Sequence, residues 1–173
     1  MNLRSVSVPY FVVAAFTLAL AGCGDNKFQK EVETEKSAVG LARQVQAGGY
    51  DLITTEELKK LIDDKSAFVL VDTMPAEDFG REHIPGAINF DLPKEDMNEW
   101  DAKKTSDKTE EDFAKALGED KNKPIVVYCG FTACGRSHNG AMWAQKLGYT
   151  NVKRQPGGIF AWKGAGNAVE KSK

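Results

Sequence analysis

Apolar positions change their spacing along the chain, and each change marks an element. Tyr10 to Leu20 is an apolar run broken only by Thr17, too short to span a bilayer comfortably and of the length of a signal-peptide core. Asp25 to Gly49 is polar and charged, with Val32, Val39, Leu41 and Val45 too scattered for a strong amphipathic face. It reads as a tether, helical around Ala38 to Ala47 and closing at Gly48 and Gly49. Tyr50 to Ile53 predicts a short strand. Thr54 and Glu57 then stand at capping-box spacing for a helix through about Asp63, with Leu58, Leu61 and Ile62 toward the core. Ala67 to Val71 predicts a second strand ending at Asp72, Pro75 to Glu82 a short helix, and the residues after the Pro85-Gly86 turn a third strand. Asp91 to Asn122 is a polar insertion with two candidate helices, one around Met97 and Trp100, the other around Phe113, Ala116 and Leu117, and its charges solvate a surface.

Behind Pro124, Ile125 to Tyr128 is a continuously apolar, β-branched run, the pattern of a parallel strand buried on both faces. From Ser137 the period becomes helical, with Ala141, Ala144 and Leu147 at spacings of three and Gly148 as a stop. Asn151 to Arg154 reads as a last strand, and Trp162 as a residue closing the core. Alternating strands and helices predict an α/β fold around a parallel sheet.

Composition places this pattern among ordinary soluble domains: 173 residues, 42% hydrophobic and 28% charged, leave room for one core. Removing residues 1–22 would take one of the 23 basic residues, Arg4, and none of the 25 acids. The balance stays slightly acidic and offers no electrostatic case for binding nucleic acid. Two His and two free Cys do not make a ligand cluster, so no metal site and no cofactor is expected.

The apolar run ends in Leu20-Ala21-Gly22-Cys23, which resembles the lipobox of bacterial lipoproteins. The resemblance implies a signal peptide over residues 1–22, a lipid on Cys23, a tether over 23–49 and a domain over 50–166. The protein would then lie in a bacterial cell envelope, anchored by acyl chains and facing the periplasm or exterior. Cys129 and Cys134 are then the remaining thiols, in a compartment where disulfides persist.

Cys129 stands at the carboxyl end of the Ile125 to Tyr128 strand, where open α/β sheets bind ligands. Unpaired amides at the following helix start, with Arg136, would favour its thiolate, the nucleophilic form. The loop Gly130, Phe131, Thr132, Ala133, Cys134, Gly135 has small, flexible residues whose amides can point inward as an anion cradle, with Ser137 beyond. A buried structural cysteine is the plainer reading of such a residue.

Asp72, Glu77, Phe79, the string His83-Ile84-Pro85-Gly86-Ala87, Asn89, the Cys129 loop, and Gly157-Gly158 followed by Trp162 occur in one order. Together they resemble rhodanese domains over Tyr50 to Gly164. The resemblance implies a central parallel sheet of about five strands flanked by helices, and a sulfurtransferase in which Cys129 carries a persulfide. Arg136 would orient a sulfane donor such as thiosulfate, a thiol would accept the sulfur, and His83 would be structural. Two departures stand out. Arg136 and Ser137 lie two residues further from the cysteine than in a typical sulfurtransferase loop, and Met74 replaces a basic residue common there. Cys134 is a redox or resolving partner for Cys129, or a bystander. A non-catalytic sulfur-binding or redox-sensing module is therefore the alternative, and phosphatase or arsenate-reductase-like oxyanion chemistry a more distant one.

Overall fold

The computed structural model describes residues 26–172; the apolar run and Cys23 lie outside them. Within that range five strands form one sheet in the order β1-β5-β4-β2-β3, with every pairing parallel. The strands are β1 (Asp51–Leu52), β2 (Val69–Asp72), β3 (Ile88–Asn89), β4 (Ile125–Tyr128) and β5 (Val152–Arg154). Six α-helices are interleaved: α1 (Lys27–Gly48), α2 (Thr55–Asp63), α3 (Ala76–Arg81), α4 (Glu110–Leu117), α5 (Arg136–Lys146) and α6 (Gly158–Gly164).

β4 is central, and every one of its residues is buried. Successive side chains of a strand point to opposite faces, so β4 feeds two cores. Ile125 and Val127 join Val71, Phe113, Leu117, Ala141 and Tyr149 on one side. Val126 and Tyr128 join Leu58, Leu70, Ile84 and Trp162 on the other. A strand with no solvent face has no polar alternation, which is why this segment reads as a continuous apolar run. Trp162 is buried, with its indole N–H donating to the Ala168 carbonyl at 2.7 Å.

Local signals set most boundaries. Thr54 caps α2, with Glu57 returning the bond to the Thr54 amide, and Thr109 with Asp112 caps α4 in the same way. Gly148 ends α5 with φ +87°. Gly140 lets α5 approach β4: a Cβ there would lie 2.9 Å from Val127 and 3.0 Å from Thr73.

Two stretches differ from expectation. The helix expected around Ala38 to Ala47 runs from Lys27 to Gly48. Its last turns dock on the body, where Val45 packs against the first core and Gly48 is buried. The segment around Met97 and Trp100 is irregular, followed by a single 3-10 turn at Ala102–Lys104. Met97 is buried there because its amide bonds Asn139 and its carbonyl accepts from Trp143, so side chains of α5 satisfy backbone that a helix would otherwise satisfy. The Gly157-Gly158 stretch opens α6. Among the described residues no helix is long and apolar enough to cross a membrane.

Candidate active site

Cys129 follows β4 directly, and the loop of residues 130–135 carries the chain from it into α5. Two sets of donors pin that loop from behind. The amides of Ile159 and Phe160, at the start of α6, donate to the carbonyls of Cys129 and Gly130 at 2.9 and 3.0 Å. Gly158 makes this approach feasible, since it has φ +60° and a Cβ on it would collide with the Cys129 and Gly130 carbonyls.

The second set comes from Arg154, at the end of β5, which is fully buried. Its Nη2 donates to the carbonyls of Cys134 (2.9 Å) and Thr132 (3.2 Å), and its Nε to Ser137 Oγ (2.8 Å). Its Nη1 reaches Gln44 of α1 (2.6 Å) and the Tyr50 hydroxyl (3.3 Å). Tyr50 in turn lies 2.8 Å from His138 Nδ1, and burial with the Arg154 charge beyond holds His138 below its ordinary pKa. Among the described residues no carboxylate pairs with Arg154. These donors take the carbonyls of Cys129, Gly130, Thr132 and Cys134, while the Cys134 amide donates to the Phe131 carbonyl within the loop.

Both cysteines are reduced and buried, yet their surroundings differ. Cys129 Sγ is enclosed, 3.2 Å from Ser137 Oγ and 3.6 Å from the Cys134 carbonyl. Ser137 Oγ already accepts from Arg154, so its own proton is free for Cys129. Burial and the adjacent Cys134 thiol push the Cys129 pKa well up. The expectation that the helix start and Arg136 would ease ionisation of Cys129 is therefore reversed. Cys134 has the opposite bias: the Cys129 thiol, the amides of Arg136 and Gly130 and the Arg136 charge favour its thiolate against the cost of burial. Of the loop amides expected to form a cradle, that of Gly130 favours Cys134 and not Cys129, together with the Arg136 amide at the start of α5.

Arg136 does not face Cys129. Its Nη1 pairs with Asp91 at 2.7 Å and donates to the Leu92 carbonyl. It lines a cavity of about 270 Å³ together with Met74, Lys94, Phe131, Ala133 and Cys134. Cys134 opens on this space and Cys129 does not. Gly130 and Gly135 are buried, while Phe131, Thr132 and Ala133 form the exposed crest of the loop. Among the described residues no three His, Cys, Asp or Glu side chains gather for a metal ion.

His83 is structural: its ring stacks on Phe79 at 3.9 Å and its Nδ1 lies 2.9 Å from the Phe79 carbonyl. Asp72 accepts from the Met74 amide at 2.8 Å through Oδ1, but its buried Oδ2 has no hydrogen-bond partner among the described residues. Burial pushes its pKa up to about 6. Met74, standing where a basic side chain is common in rhodanese domains, supplies no cation to this carboxyl. Arg154 is the site residue that the sequence did not announce. Its one signal was a second charge beside Lys153 at the end of an otherwise buried strand.

Comparison with known proteins agrees with this architecture. Solved structures similar to the chain include a protein of Bacillus halodurans (24% identity, TM-score 0.52, covering 84% of this chain and 85% of that one). Thiosulfate sulfurtransferase from Pseudomonas aeruginosa is also similar (18% identity, TM-score 0.58, 79% of this chain and 23% of that one). So is a Rhodopseudomonas palustris protein described as a possible tyrosine phosphatase (23% identity, TM-score 0.52, 75% and 93%). At these identities the likeness is one of fold. No curated protein matches significantly. A family model described as Rhodanese-like domain matches residues 54–165, the span from the cap of α2 to the end of α6 that holds the thiol loop and both sets of donors behind it, and the chain belongs to that family.

Proposed function

We propose that the protein is a sulfurtransferase that draws sulfane sulfur from a small anionic donor such as thiosulfate and holds it as a cysteine persulfide in the loop after β4, for delivery to a thiol. Family resemblance assigns the persulfide to Cys129. The observation that carries the reading is the loop itself, whose carbonyls are tied back by Arg154 and α6 while the amides of Gly130 and Arg136 favour a thiolate at Cys134. Amides so arranged stabilise a thiolate or a persulfide anion. Lys94 and Arg136 give the adjacent cavity a cationic rim suited to a sulfur oxyanion, offset in part by Asp78 and by the pairing of Arg136 with Asp91. Through a lipid on Cys23 the domain would work at a membrane surface of the bacterial envelope.

Incubation of the reduced domain with thiosulfate and cyanide is expected to give thiocyanate, and the Cys129→Ala, Cys134→Ala double variant to give none. Absence of turnover by the reduced protein with thiosulfate and with an organic persulfide would overturn the assignment. The approach of the Cys129 sulfur to the Cys134 carbonyl, at 3.6 Å, favours a second reading, a thiol/disulfide redox module without sulfur transfer. Intact mass after isolation without reductant separates the two: one added sulfur supports the carrier, and loss of two hydrogens without sulfur release supports the redox module.

A further inference from the structure

We propose that Cys134, rather than the strand-end Cys129, is the thiol that receives sulfur, and that Cys129 then displaces that sulfur as hydrosulfide by closing a disulfide onto Cys134. The proposal rests on the sulfurtransferase reading and reassigns the two thiols within it.

Position carries the argument. Cys134 lines the 270 Å³ cavity, whose rim holds Lys94 and Arg136. Lys94 makes no ion pair among the described residues, so its charge is available to a donor. Cys129 Sγ, with no exposure, lies behind Cys134, enclosed by Ser137 Oγ and the carbonyls of Cys134 and Phe131. A donor entering this cavity meets Cys134 first. The order of the thiols also fits their protonation, since the forward one is stabilised as an anion and the rear one holds its proton.

The steps balance. Cys134 thiolate attacks the sulfane sulfur of thiosulfate; the new S–S bond forms as the donor's S–S bond breaks, and sulfite leaves with the electron pair. The resulting Cys134 persulfide has its inner sulfur beside the amides of Gly130 and Arg136 and its outer sulfur toward the cavity. Cys129 sits on the side away from the cavity, so it approaches the inner sulfur with the outer sulfur as the leaving group. The Cys129–Cys134 bond forms, the bond to the outer sulfur breaks, and hydrosulfide leaves with the proton that Cys129 had carried. Sulfane sulfur is reduced by two electrons and the two thiols are oxidised to one disulfide. A single turnover needs no other reductant, and an external dithiol reductant resets the pair.

The test is a single turnover of the reduced chain with thiosulfate, reading sulfite, hydrosulfide and intact mass. Wild type is expected to release equal amounts of sulfite and hydrosulfide and to lose two hydrogens. Cys129→Ser is expected to release sulfite but no hydrosulfide and to keep one added sulfur, mapped to Cys134; Cys134→Ser is expected to lose sulfite release by at least tenfold. Iodoacetamide on wild type, which bypasses any folding defect of the variants, should label Cys134 before Cys129 at about pH 6, well below the ~8.5 of an ordinary thiol. If Cys134→Ser gains sulfur on Cys129 at the wild-type rate, or Cys129 is labelled first, the reassignment is wrong while sulfur transfer stands. If wild type releases no sulfite from thiosulfate and takes no sulfur from an organic persulfide, both fail together.

Discussion

Replacing Arg154 with Met removes the guanidinium that ties three parts of the chain to the thiol loop. Five contacts go with it: Ser137, Gln44, Tyr50 and the carbonyls of Thr132 and Cys134. Hydrogen bonds to a charged group contribute about 1.5–3 kcal/mol each, and buried acceptors left behind cost about 1–3 kcal/mol apiece. Against that sum stands the desolvation of a buried cation with no carboxylate partner among the described residues, a penalty of several kcal/mol that the variant no longer bears. The net loss should therefore be about 3–5 kcal/mol, within the range of broken buried polar networks. For a chain of this size that is a fall in Tm on the order of 10 °C. Arg154→Lys keeps the charge but not the forked donors and should lose about half as much. Thermal unfolding followed by circular dichroism measures the stability term. Alkylation of Cys134 at a temperature where both variants are folded measures the loop: with its carbonyl ties gone, the amides should disperse and the thiol should react more slowly at pH near 6. A Met variant within about 1 kcal/mol of wild type, with Cys134 as reactive as before, would refute the view that this side chain shapes the site.

Further outcomes follow from other contacts. Gly158→Ala places a Cβ against the Cys129 and Gly130 carbonyls at φ +60°; it should cost about 3 kcal/mol or more, and hydrogen exchange at the Ile159 and Phe160 amides should accelerate. Unchanged exchange there would show that α6 does not hold the loop. Gln44→Ala leaves Arg154 Nη1 with only its longer bond to Tyr50 and should lower urea-unfolding stability by about 1–2 kcal/mol, whereas no loss would mean that α1 docks through packing alone. For Asp72, burial raises the folded pKa to about 6, against about 3.9 in the unfolded chain. The folded state therefore keeps this proton to higher pH. Stability from the protonated carboxyl is full below about pH 4 and lost as pH rises through about 6, an effect of roughly 3 kcal/mol. Asp72→Asn should gain on wild type by that amount between these limits, and parallel pH profiles of the two proteins would contradict the raised pKa.

Much of the scaffold was legible because its signals are local. Thr54 with Glu57 announced α2, the apolar run at Ile125 to Tyr128 announced a doubly covered strand, and Gly148 announced the end of α5. What was missed depends on distant partners. Met97 looks helical by spacing, yet its backbone is satisfied by Asn139 and Trp143 on α5. Arg154 resembles a surface charge until Gln44 and Tyr50, more than a hundred residues earlier in the chain, close around it. The reach of Cys129 was misjudged for the same reason, since a strand-end thiol is open only if nothing in the loop folds back over it. No periodicity encodes that Cys134 does.

The docking of α1 has a mechanical side. Its 22 residues make a rod of about 33 Å, fastened at one end by Val45 and by the bond from Gln44 to the guanidinium behind the thiols. Whatever holds the chain ahead of Asn26 is therefore joined to the domain by a lever instead of a slack cord. Torque on that lever would arrive first at the residue that sets the shape of the loop carrying the two thiols.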